Sequence, residues 1–231
     1  MAAHDHATVD EQDMEAIGQN GQSPPTGAKS LTPVTPRGEA TRQRILEAAE
    51  AVFGEVGYHA ASVSEITRRA KVAQGTFYIY FHSKREIFAE LVEDLGKRLR
   101  AATRAASEGA RDRLEAERLG FAAFFTFVAQ HRQVYHIVQE AERVAPEVAR
   151  AYYQRFSDGY QRRLREAVQH GDIRPIDPEV IAYALMGIAH FQALRWILWA
   201  DNESATISPE VADAIFSFIA QGLEPTPERR T

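Results

Sequence analysis

The stretch KVAQGTFYIYFHSKREIF, residues 71–88, places four aromatic side chains within five positions. They are Phe77, Tyr78, Tyr80 and Phe81, and basic residues stand on both sides of them. A buried helix rarely carries two phenol hydroxyls so close together, and a solvated helix rarely carries four rings. The stretch therefore indicates a surface that packs on one side and offers hydrogen bonds on the other.

A helical pattern precedes this stretch. From Thr41 onward, apolar residues recur at intervals of three and four, the spacing of one helix face. Thr41 is the predicted N-cap and Gly57 the predicted left-handed stop. The apolar face consists of Ile45, Ala48, Ala49, Val52, Phe53 and Val56.

Two capping boxes mark the starts of further helices. In SVSE (62–65), the Ser62 hydroxyl is predicted to accept from the Glu65 amide while Glu65 reaches back, and SKRE (83–86) repeats the pattern. Between them, residues 71–73 form a tight turn, and a second short helix runs from Gln74 to about Phe81. The long helix after SKRE faces inward with Ile87, Phe88, Leu91, Val92, Leu95 and Leu99. Two short helices joined by a tight turn after a longer helix have the spacing of a helix-turn-helix.

A helix-turn-helix explains the paired rings and hydroxyls. Its second helix lies in the DNA major groove, so Val72, Phe77 and Phe81 are predicted to lock it onto neighbouring helices. Tyr78 and Tyr80 then offer hydroxyls to phosphates, as do the free amides where the fourth helix begins. Between Ser62 and Arg85 there is one acidic residue, Glu65. The basic residues of the same segment are Arg68, Arg69, Lys71, Lys84 and Arg85.

Residues 41–88 closely resemble the DNA-binding domain of the tetracycline-repressor (TetR) family. The match is free of gaps, covers about a fifth of the chain, and rests on residues such as Ile66, Gly75, Tyr78 and Phe81. Two positions depart from the pattern. Lys71 stands where the family most often has glycine, which costs about 1 kcal/mol in a left-handed turn. Ala73 stands where a serine or threonine usually caps the recognition helix, so one phosphate contact common in the family is expected to be absent.

The motif and the resemblance together predict which residues contact DNA. Gln74 can bond an adenine edge bidentately, Thr76 can touch a thymine methyl, and Gly75 allows close approach of the backbone. A single exposed arginine or lysine is more often a solvated charge than a DNA contact. The predicted set is Arg42, Ser62, Ser64, Lys71, Ala73, Gln74, Gly75, Thr76, Tyr78, Tyr80, His82 and Lys84.

Beyond residue 100 the inward helix faces are aromatic where plain packing would favour Leu, Ile and Val. One interpretation is an ordinary core. The resemblance implies a second interpretation, in which helices 4 to 8 enclose an inducer cavity. Such a cavity would have apolar walls and a few polar groups. The predicted ligand-binding residues are Phe121, Phe124, Phe125, Tyr135, Tyr152, Phe156, His190 and Arg195. Further polar candidates are His131, Arg132 and Arg143.

The last two helices are expected to pair with a second copy. Each begins with an N-cap, a proline and an acid, at Asp177 and at Ser208. Residues 180–200 between them are apolar nearly all round, so one monomer has too few helices to cover them. A two-fold four-helix bundle, which the family forms, would cover them and would present two recognition helices to a palindromic operator. The predicted dimer residues are Trp196, Val211, Ile215, Phe218 and Ile219.

Composition narrows the class of protein. The 231 residues include no cysteine, which rules out disulfides, thiolate metal sites and a cysteine nucleophile. No signal peptide and no long apolar run is evident, so a cytoplasmic protein without membrane contact is expected. The net charge of −5 argues against indiscriminate coating of nucleic acid. Hydrolase, phosphate-loop, dinucleotide and metal motifs are all missing from the sequence, so neither an enzyme nor a cofactor or metal site is expected.

The sequence therefore predicts an all-α protein of about nine helices. Residues 1–38 and 225–231 are predicted tails, 39–99 a DNA-binding domain, and 100–224 a ligand-binding and dimerisation domain. The expected function is a dimeric regulator, by family default a repressor, that binds a double-stranded operator and responds to a small lipophilic or aromatic effector. An acyl-CoA of fatty-acid or aromatic-acid metabolism is the favoured effector. The alternatives are a regulator of multidrug efflux that senses xenobiotics and, more remotely, an architectural DNA-binding protein.

Overall fold

The computed structural model describes residues 35–202 and 205–225, and this part of the chain folds into nine α-helices without a β-strand. In chain order they are α1 (Pro36–Ala60), α2 (Val63–Ala70), α3 (Gln74–Tyr80), α4 (Lys84–Ser107), α5 (Arg113–Gln130), α6 (Arg132–Val144), α7 (Pro146–His170), α8 (Pro178–Ala193) and α9 (Pro209–Leu223). A π-helical turn, Leu194–Leu198, extends α8. The predicted all-α class is confirmed. Most of the predicted N-terminal tail and all but the first residue of the C-terminal one lie outside the described residues.

The first helix begins before the predicted cap. The Thr35 hydroxyl accepts a hydrogen bond from the Gly38 amide at 3.1 Å, and Pro36 occupies the first helical position, where its missing N–H costs nothing. The predicted N-cap role of Thr41 is therefore wrong. The hydroxyl of Thr41 instead donates to the Arg37 carbonyl inside the helix.

A glycine kink divides the end of α1 from the rest of the helix. Gly57 has φ 74° and ψ 170°, a backbone conformation that side chains with a Cβ avoid, and one more helical turn follows it. The positive φ at this glycine was predicted, although the helix resumes after it. Val56, next to the kink, is exposed, so the buried face of α1 stops at Phe53.

Two hydrophobic clusters form the interior. The first gathers α1 to α4 and also takes in Ile137 and Ala141 of α6 and Ala149 and Tyr152 of α7. The second lies among α5, α7, α8 and α9. All six residues predicted to face inward from α4 are buried. Because α4 runs through the predicted domain boundary at residue 99, the DNA-binding half shares this helix with the rest of the molecule.

The last two long helices begin as their sequences predicted. The Asp177 carboxylate accepts from the Glu179 amide at 2.8 Å, the Ser208 hydroxyl accepts from Val211, and a proline follows each cap. By length and composition Pro178–Leu198 could cross a membrane, but the core helix of a soluble protein meets the same criterion. One side of this helix packs through Ile181 and neighbouring residues into the second cluster, and its other side is exposed.

Candidate nucleic-acid interface and ligand cavity

The turn between α2 and α3 has the geometry of a helix-turn-helix. The Ser62 hydroxyl caps α2 by accepting from the Glu65 amide at 3.1 Å, as predicted. Lys71 closes α2 in the left-handed region, with φ 55° and ψ 47°, and the next amide, that of Val72, donates to the Thr67 carbonyl at 3.1 Å. Ala73 precedes α3 without any side-chain cap. Both departures from the family pattern therefore have the structural effect that the sequence predicted.

Aromatic packing fixes the orientation of α3. Phe77 and Phe81 are fully buried, with ring centroids 5.6 Å apart. Tyr78 packs its ring edge against Phe77 and is only half-buried. Its hydroxyl makes no hydrogen bond to any residue that the structure describes, so it remains available to a phosphate oxygen.

The face of α3 opposite Phe77 and Phe81 points away from the core. Gly75 is exposed on it and Thr76 is half-buried, while Gln74 is exposed at the first residue of the helix. Ile79 also lies on this face and is 47% exposed, although it is not among the DNA-contacting residues predicted from the sequence. The available signal was its position two residues from each buried phenylalanine, which places it on the opposite side of the helix.

Internal partners neutralise much of the predicted basic patch. Arg68 and Arg69 both donate to the Glu65 carboxylate, and Arg69 also binds Glu55 of α1 at 2.6 Å. These arginines lower the pKa of Glu65 to about 2. Glu65 therefore binds two guanidinium groups rather than reaching back to its own cap as predicted. The count of charges between residues 62 and 85 missed Glu55 because it lies on another helix.

Lys84 and Arg85 are also held by the protein itself. The Lys84 ammonium donates to the carbonyls of Tyr58 and Ala61, both at 2.7 Å, and burial lowers the pKa of this lysine. Arg85 donates to the Val144 carbonyl and forms an ion pair with Glu147, so it joins the start of α4 to the α6–α7 junction. Of the five basic residues counted from the sequence, only Lys71 forms no ion pair or hydrogen bond through its side chain within the described chain.

The remaining predicted DNA residues lie around this surface. Ser62 and Ser64 are exposed at the start of α2, and Tyr80 is half-buried. The His82 imidazole lies 2.8 Å from Glu86 through Nδ1. Arg42 forms an ion pair with Glu90 and stacks over the Phe81 ring, so it joins α1 to α4.

An apolar cavity of about 70 Å³ lies among α4, α5, α7 and α8. Six of the eight predicted ligand residues line it: Phe121, Phe124, Tyr135, Tyr152, Phe156 and His190. The aromatic faces predicted from the sequence therefore do converge. Leu99, Leu185 and Met186 complete much of the wall, and nothing in their spacing distinguished them from ordinary core residues.

Tyr135 and His190 place one polar pair on this apolar wall. The Tyr135 hydroxyl and His190 Nδ1 are 2.7 Å apart. Burial raises the pKa of Tyr135 and lowers that of His190, which keeps the phenol protonated and the imidazole neutral. In the tautomer protonated at Nε2, the hydroxyl donates to Nδ1 and the Nε2–H of His190 is left as a donor for a carbonyl oxygen.

Several predicted ligand residues lie elsewhere. Phe125 is buried outside the cavity, between α5 and α9, because it lies about one turn beyond Phe121 and is rotated toward α9. The guanidinium of Arg195 stacks over Trp196 at 4.6 Å. Arg132 donates to the Asn202 carbonyl after α8, and His131 packs against Phe127 at the end of α5. Arg143 is exposed on α6. None of these residues lines the apolar cavity.

A second cavity, which we call the arginine cleft, adjoins the apolar one. It has a volume of about 110 Å³ and shares the lining residues Thr103, Gly120, Phe156 and Tyr160 with the apolar cavity. Its charged lining residues are Arg100, Arg104, Arg113, Arg162, Arg163 and Glu117. Glu117 is buried, forms an ion pair with Arg113, and accepts a hydrogen bond from the Tyr160 hydroxyl at 3.1 Å. Sequence reading missed this cleft because its arginines come from three helices.

The outer face of α8 and α9 is apolar and exposed. Phe218 is 71% exposed and Phe191 is 66% exposed. Tyr183, Trp196 and Trp199 are also exposed. Two of the predicted dimer residues, Ile215 and Ile219, are instead buried against the second cluster of the same chain, and Val211 is half-buried. Periodicity could not show which side of α9 the monomer itself covers.

Comparison with known proteins agrees with this architecture. A sequence profile described as bacterial regulatory proteins, tetR family, matches residues 45–91. YdgC of Bacillus subtilis (strain 168), an uncharacterised HTH-type transcriptional regulator, is 27% identical over 195 residues, covering 80% of this chain and 96% of that protein. The HTH-type transcriptional activator FasR of Mycolicibacterium smegmatis is 33% identical over 132 residues, or 57% of this chain and 60% of FasR.

A solved structure extends the comparison over most of the described chain. It is that of a proposed fatty acid metabolism regulator from Clostridium perfringens, which is 25% identical with a TM-score of 0.63 and covers 79% of this chain and 100% of that one. The profile matches the helix-turn-helix, and the relatives extend the likeness through the C-terminal helices. The helix-turn-helix domain of this chain is therefore that of the TetR family of bacterial transcriptional regulators.

Proposed function

We propose that this protein is a cytoplasmic repressor that binds a palindromic operator as a dimer and leaves it when an acyl-CoA enters the C-terminal domain. The observation that carries the proposal is a recognition helix with a free outward face, on a chain whose aromatic cavity lies in a separate, connected part of the molecule. Two relatives that match about four fifths of its length, YdgC and YhgD of Bacillus subtilis, are uncharacterised HTH-type transcriptional regulators.

Operator reading is assigned to the outward face of α3. Gln74, Thr76 and Ile79 supply one amide, one hydroxyl and apolar groups at the depth where base edges lie. Tyr78 adds a hydroxyl for a phosphate at the rim. Because most nearby basic side chains are already paired within the protein, the surface offers few indiscriminate phosphate contacts. This counts against an architectural DNA-binding role.

The size of the apolar cavity supports control by a ligand. Cavities that hold small molecules usually measure about 300–1,000 Å³, whereas this one measures about 70 Å³. An acyl chain can enter only if α4, α5, α7 or α8 moves. Since α4 begins beside the recognition helix, such a movement reaches the DNA-binding surface, and operator and ligand must oppose each other reciprocally.

The ligand class rests on the chemistry of the walls. Aromatic and aliphatic groups suit a long acyl chain, and the Nε2–H of His190 suits a carbonyl oxygen. The Clostridium perfringens relative is a proposed fatty acid metabolism regulator, which favours the same class. A regulator of multidrug efflux is the alternative, because the same walls would accept a neutral lipophilic drug.

A paired binding experiment tests the proposal. The operator is first selected from random duplexes with the full-length protein, and release is followed by fluorescence anisotropy with acyl-CoAs or with lipophilic drugs. Each ligand that binds the folded state should also raise its melting temperature. We expect acyl-CoAs to release the operator. Release by drugs alone would favour the efflux reading, and binding with a steep salt dependence but no preferred sequence would favour an architectural protein.

A further inference from the structure

We propose that the arginine cleft binds the phosphate groups of an amphipathic ligand whose apolar part occupies the neighbouring aromatic cavity. This inference rests on the proposed ligand-responsive function. It adds a phosphate-binding subsite to the apolar cavity of the same ligand site. The expected ligand is an acyl thioester that carries a polyphosphate headgroup.

The electrostatics of the cleft call for an anion. Its lining holds five arginines and one glutamate, a net charge of +4. Arg113 is neutralised by Glu117, but Arg100, Arg104, Arg162 and Arg163 form no ion pair with any described residue. Arg98 of α4, Arg111 just before α5 and Arg118 of α5 are each paired with a carboxylate instead. Four guanidinium groups in one cavity, none of them paired with its single carboxylate, repel each other, and an anion with several oxygens would relieve that repulsion.

DNA is excluded as that anion by distance. Arg104 lies twenty residues beyond Lys84 on α4, which corresponds to about 30 Å at 1.5 Å per residue. The recognition helix is packed at the Lys84 end. The cleft therefore serves a small molecule rather than the operator backbone.

The shared wall sets the arrangement of the ligand. Phe156 and Tyr160 face both cavities, so a molecule that lies across them has its apolar part on one side and its charges on the other. A free fatty acid would also be amphipathic, but its carboxylate would lie at this boundary, beside buried Glu117. A thioester has a neutral carbonyl, which can stay within the apolar cavity, and it carries its phosphates farther out, toward Arg104 and Arg162. The free acid therefore places its charge next to the Glu117 carboxylate, which Arg113 only partly compensates, and leaves Arg104 and Arg162 without an anion.

Calorimetric titration of the full-length protein tests this arrangement. The ligands are dodecanoyl-CoA, dodecanoate and inorganic pyrophosphate, and the variant is R104A/R162A. The control R111A/R165A removes the same charge from neighbouring exposed positions outside the lining. We expect R104A/R162A to weaken dodecanoyl-CoA binding about a hundredfold, to leave dodecanoate binding unchanged, and to abolish pyrophosphate binding, while R111A/R165A behaves like the unaltered protein.

The outcomes separate this inference from the proposed function. If dodecanoyl-CoA binds both R104A/R162A and the unaltered protein equally, or if R111A/R165A loses as much affinity, the cleft assignment is overturned while the acyl-CoA function stands. If the unaltered protein binds pyrophosphate through these arginines but binds no acyl-CoA, the cleft is supported and the proposed ligand is wrong. Binding of neither overturns both.

A conservative variant tests the part assigned to Glu117. Glu117→Gln has nearly the same shape but removes the charge: its amide oxygen can still accept from Arg113, and its NH2 group can donate to the Tyr160 hydroxyl oxygen. We expect dodecanoate to bind about tenfold more tightly to this variant, with a smaller change for dodecanoyl-CoA. An unchanged ratio between the two affinities would rule out Glu117 as the group that selects the thioester.

Discussion

At the scale of single residues, two lysines of the helix-turn-helix have opposite roles. Lys71 adopts the left-handed conformation at the turn and its side chain is exposed. Lys84, which matches a phosphate-contacting position of the family, has its ammonium engaged by the last carbonyls of α1 and stacked over the Tyr58 ring. Lys71 thus has a strained backbone and an exposed charge, whereas the charge of Lys84 is bound by backbone carbonyls and stabilises the fold.

Lys71→Gly is expected to stabilise the protein and to weaken DNA binding. Glycine removes a left-handed penalty of about 1 kcal/mol, and loss of one phosphate-facing cation should reduce the slope of log affinity against log salt by about 0.9. Chemical unfolding and anisotropy titrations at several salt concentrations measure the two effects. An unchanged slope would show that Lys71 does not reach the DNA backbone.

Lys84→Ala is expected to act through stability. It leaves the carbonyls of Tyr58 and Ala61 without their charged donor, which should cost about 2 kcal/mol and lower the melting temperature by roughly 4–8 °C. Operator affinity should fall for all sequences alike because α4 no longer holds the end of α1. The salt slope distinguishes the roles: a decrease together with an unchanged melting temperature would mean that Lys84 binds phosphate after all.

Three side chains of α3 should separate affinity from sequence preference. Tyr78→Phe removes one hydroxyl and should weaken binding to all operators about fivefold, the equivalent of one hydrogen bond. Gln74→Ala and Ile79→Ala should instead change which operator variants are preferred. Competitive selection from a randomised operator measures both effects. A uniform loss from Ile79→Ala would remove this residue from the base-reading set.

At the scale of elements, α6 connects the ligand cavity to the DNA-binding half. Tyr135 near its start contacts His190 at the cavity, and Glu140 farther along accepts from the Tyr58 amide at 2.7 Å. Glu140 thus holds one side of the kinked turn that begins at Gly57, while Lys84 holds the other side. A shift of α6 acts directly on the end of α1.

Glu140→Ala is expected to weaken the coupling between ligand and operator. The Tyr58 amide loses its acceptor in a partly buried site, which should cost about 1–2 kcal/mol of stability. The ratio of operator affinities with and without bound ligand should fall, because α6 no longer pulls on the kink. Gln139→Ala on the same helix, whose side chain lies 3.1 Å from the exposed His136 ring and lines no part of the apolar cavity, is the control. An unchanged ratio would mean that the signal travels through α4 alone.

At the scale of the whole molecule, the exposed apolar face of α8 and α9 calls for a second copy of the chain. Phe218 and Phe191 are more exposed than any other large apolar residues that the structure describes. Single exposed apolar residues are ordinary, but several large aromatic residues exposed on two neighbouring helices of the sequence are typical of an interface. A two-fold pair would also place two recognition helices on one side of DNA.

Phe218→Glu is expected to make the protein monomeric at micromolar concentration and to lower operator affinity by at least a hundredfold, since one half-site alone binds weakly. Leu119→Glu, at an exposed apolar position on α5, is the control and should remain dimeric. Sedimentation velocity measures both. A wild-type monomer at high concentration would contradict the proposed assembly.

The local rules written in the sequence determined much of this protein. Capping residues at Ser62, Ser83, Asp177 and Ser208, together with helical periodicity, were sufficient to place most helices and the helix-turn-helix, because these signals depend on neighbours a few positions away. The left-handed turn at Lys71 was likewise evident from its position in the motif.

Only the tertiary structure decided how charges and faces are used. Glu55 neutralises Arg69, and carbonyls of α1 engage Lys84, through contacts between helices that are distant in sequence. The arginine cleft brings together side chains from α4, α5 and α7, and the monomer's own core covers Ile215 and Ile219 but leaves Phe218 exposed. Electrostatic pairing and burial depend on distance in space, which helical periodicity along one segment does not encode.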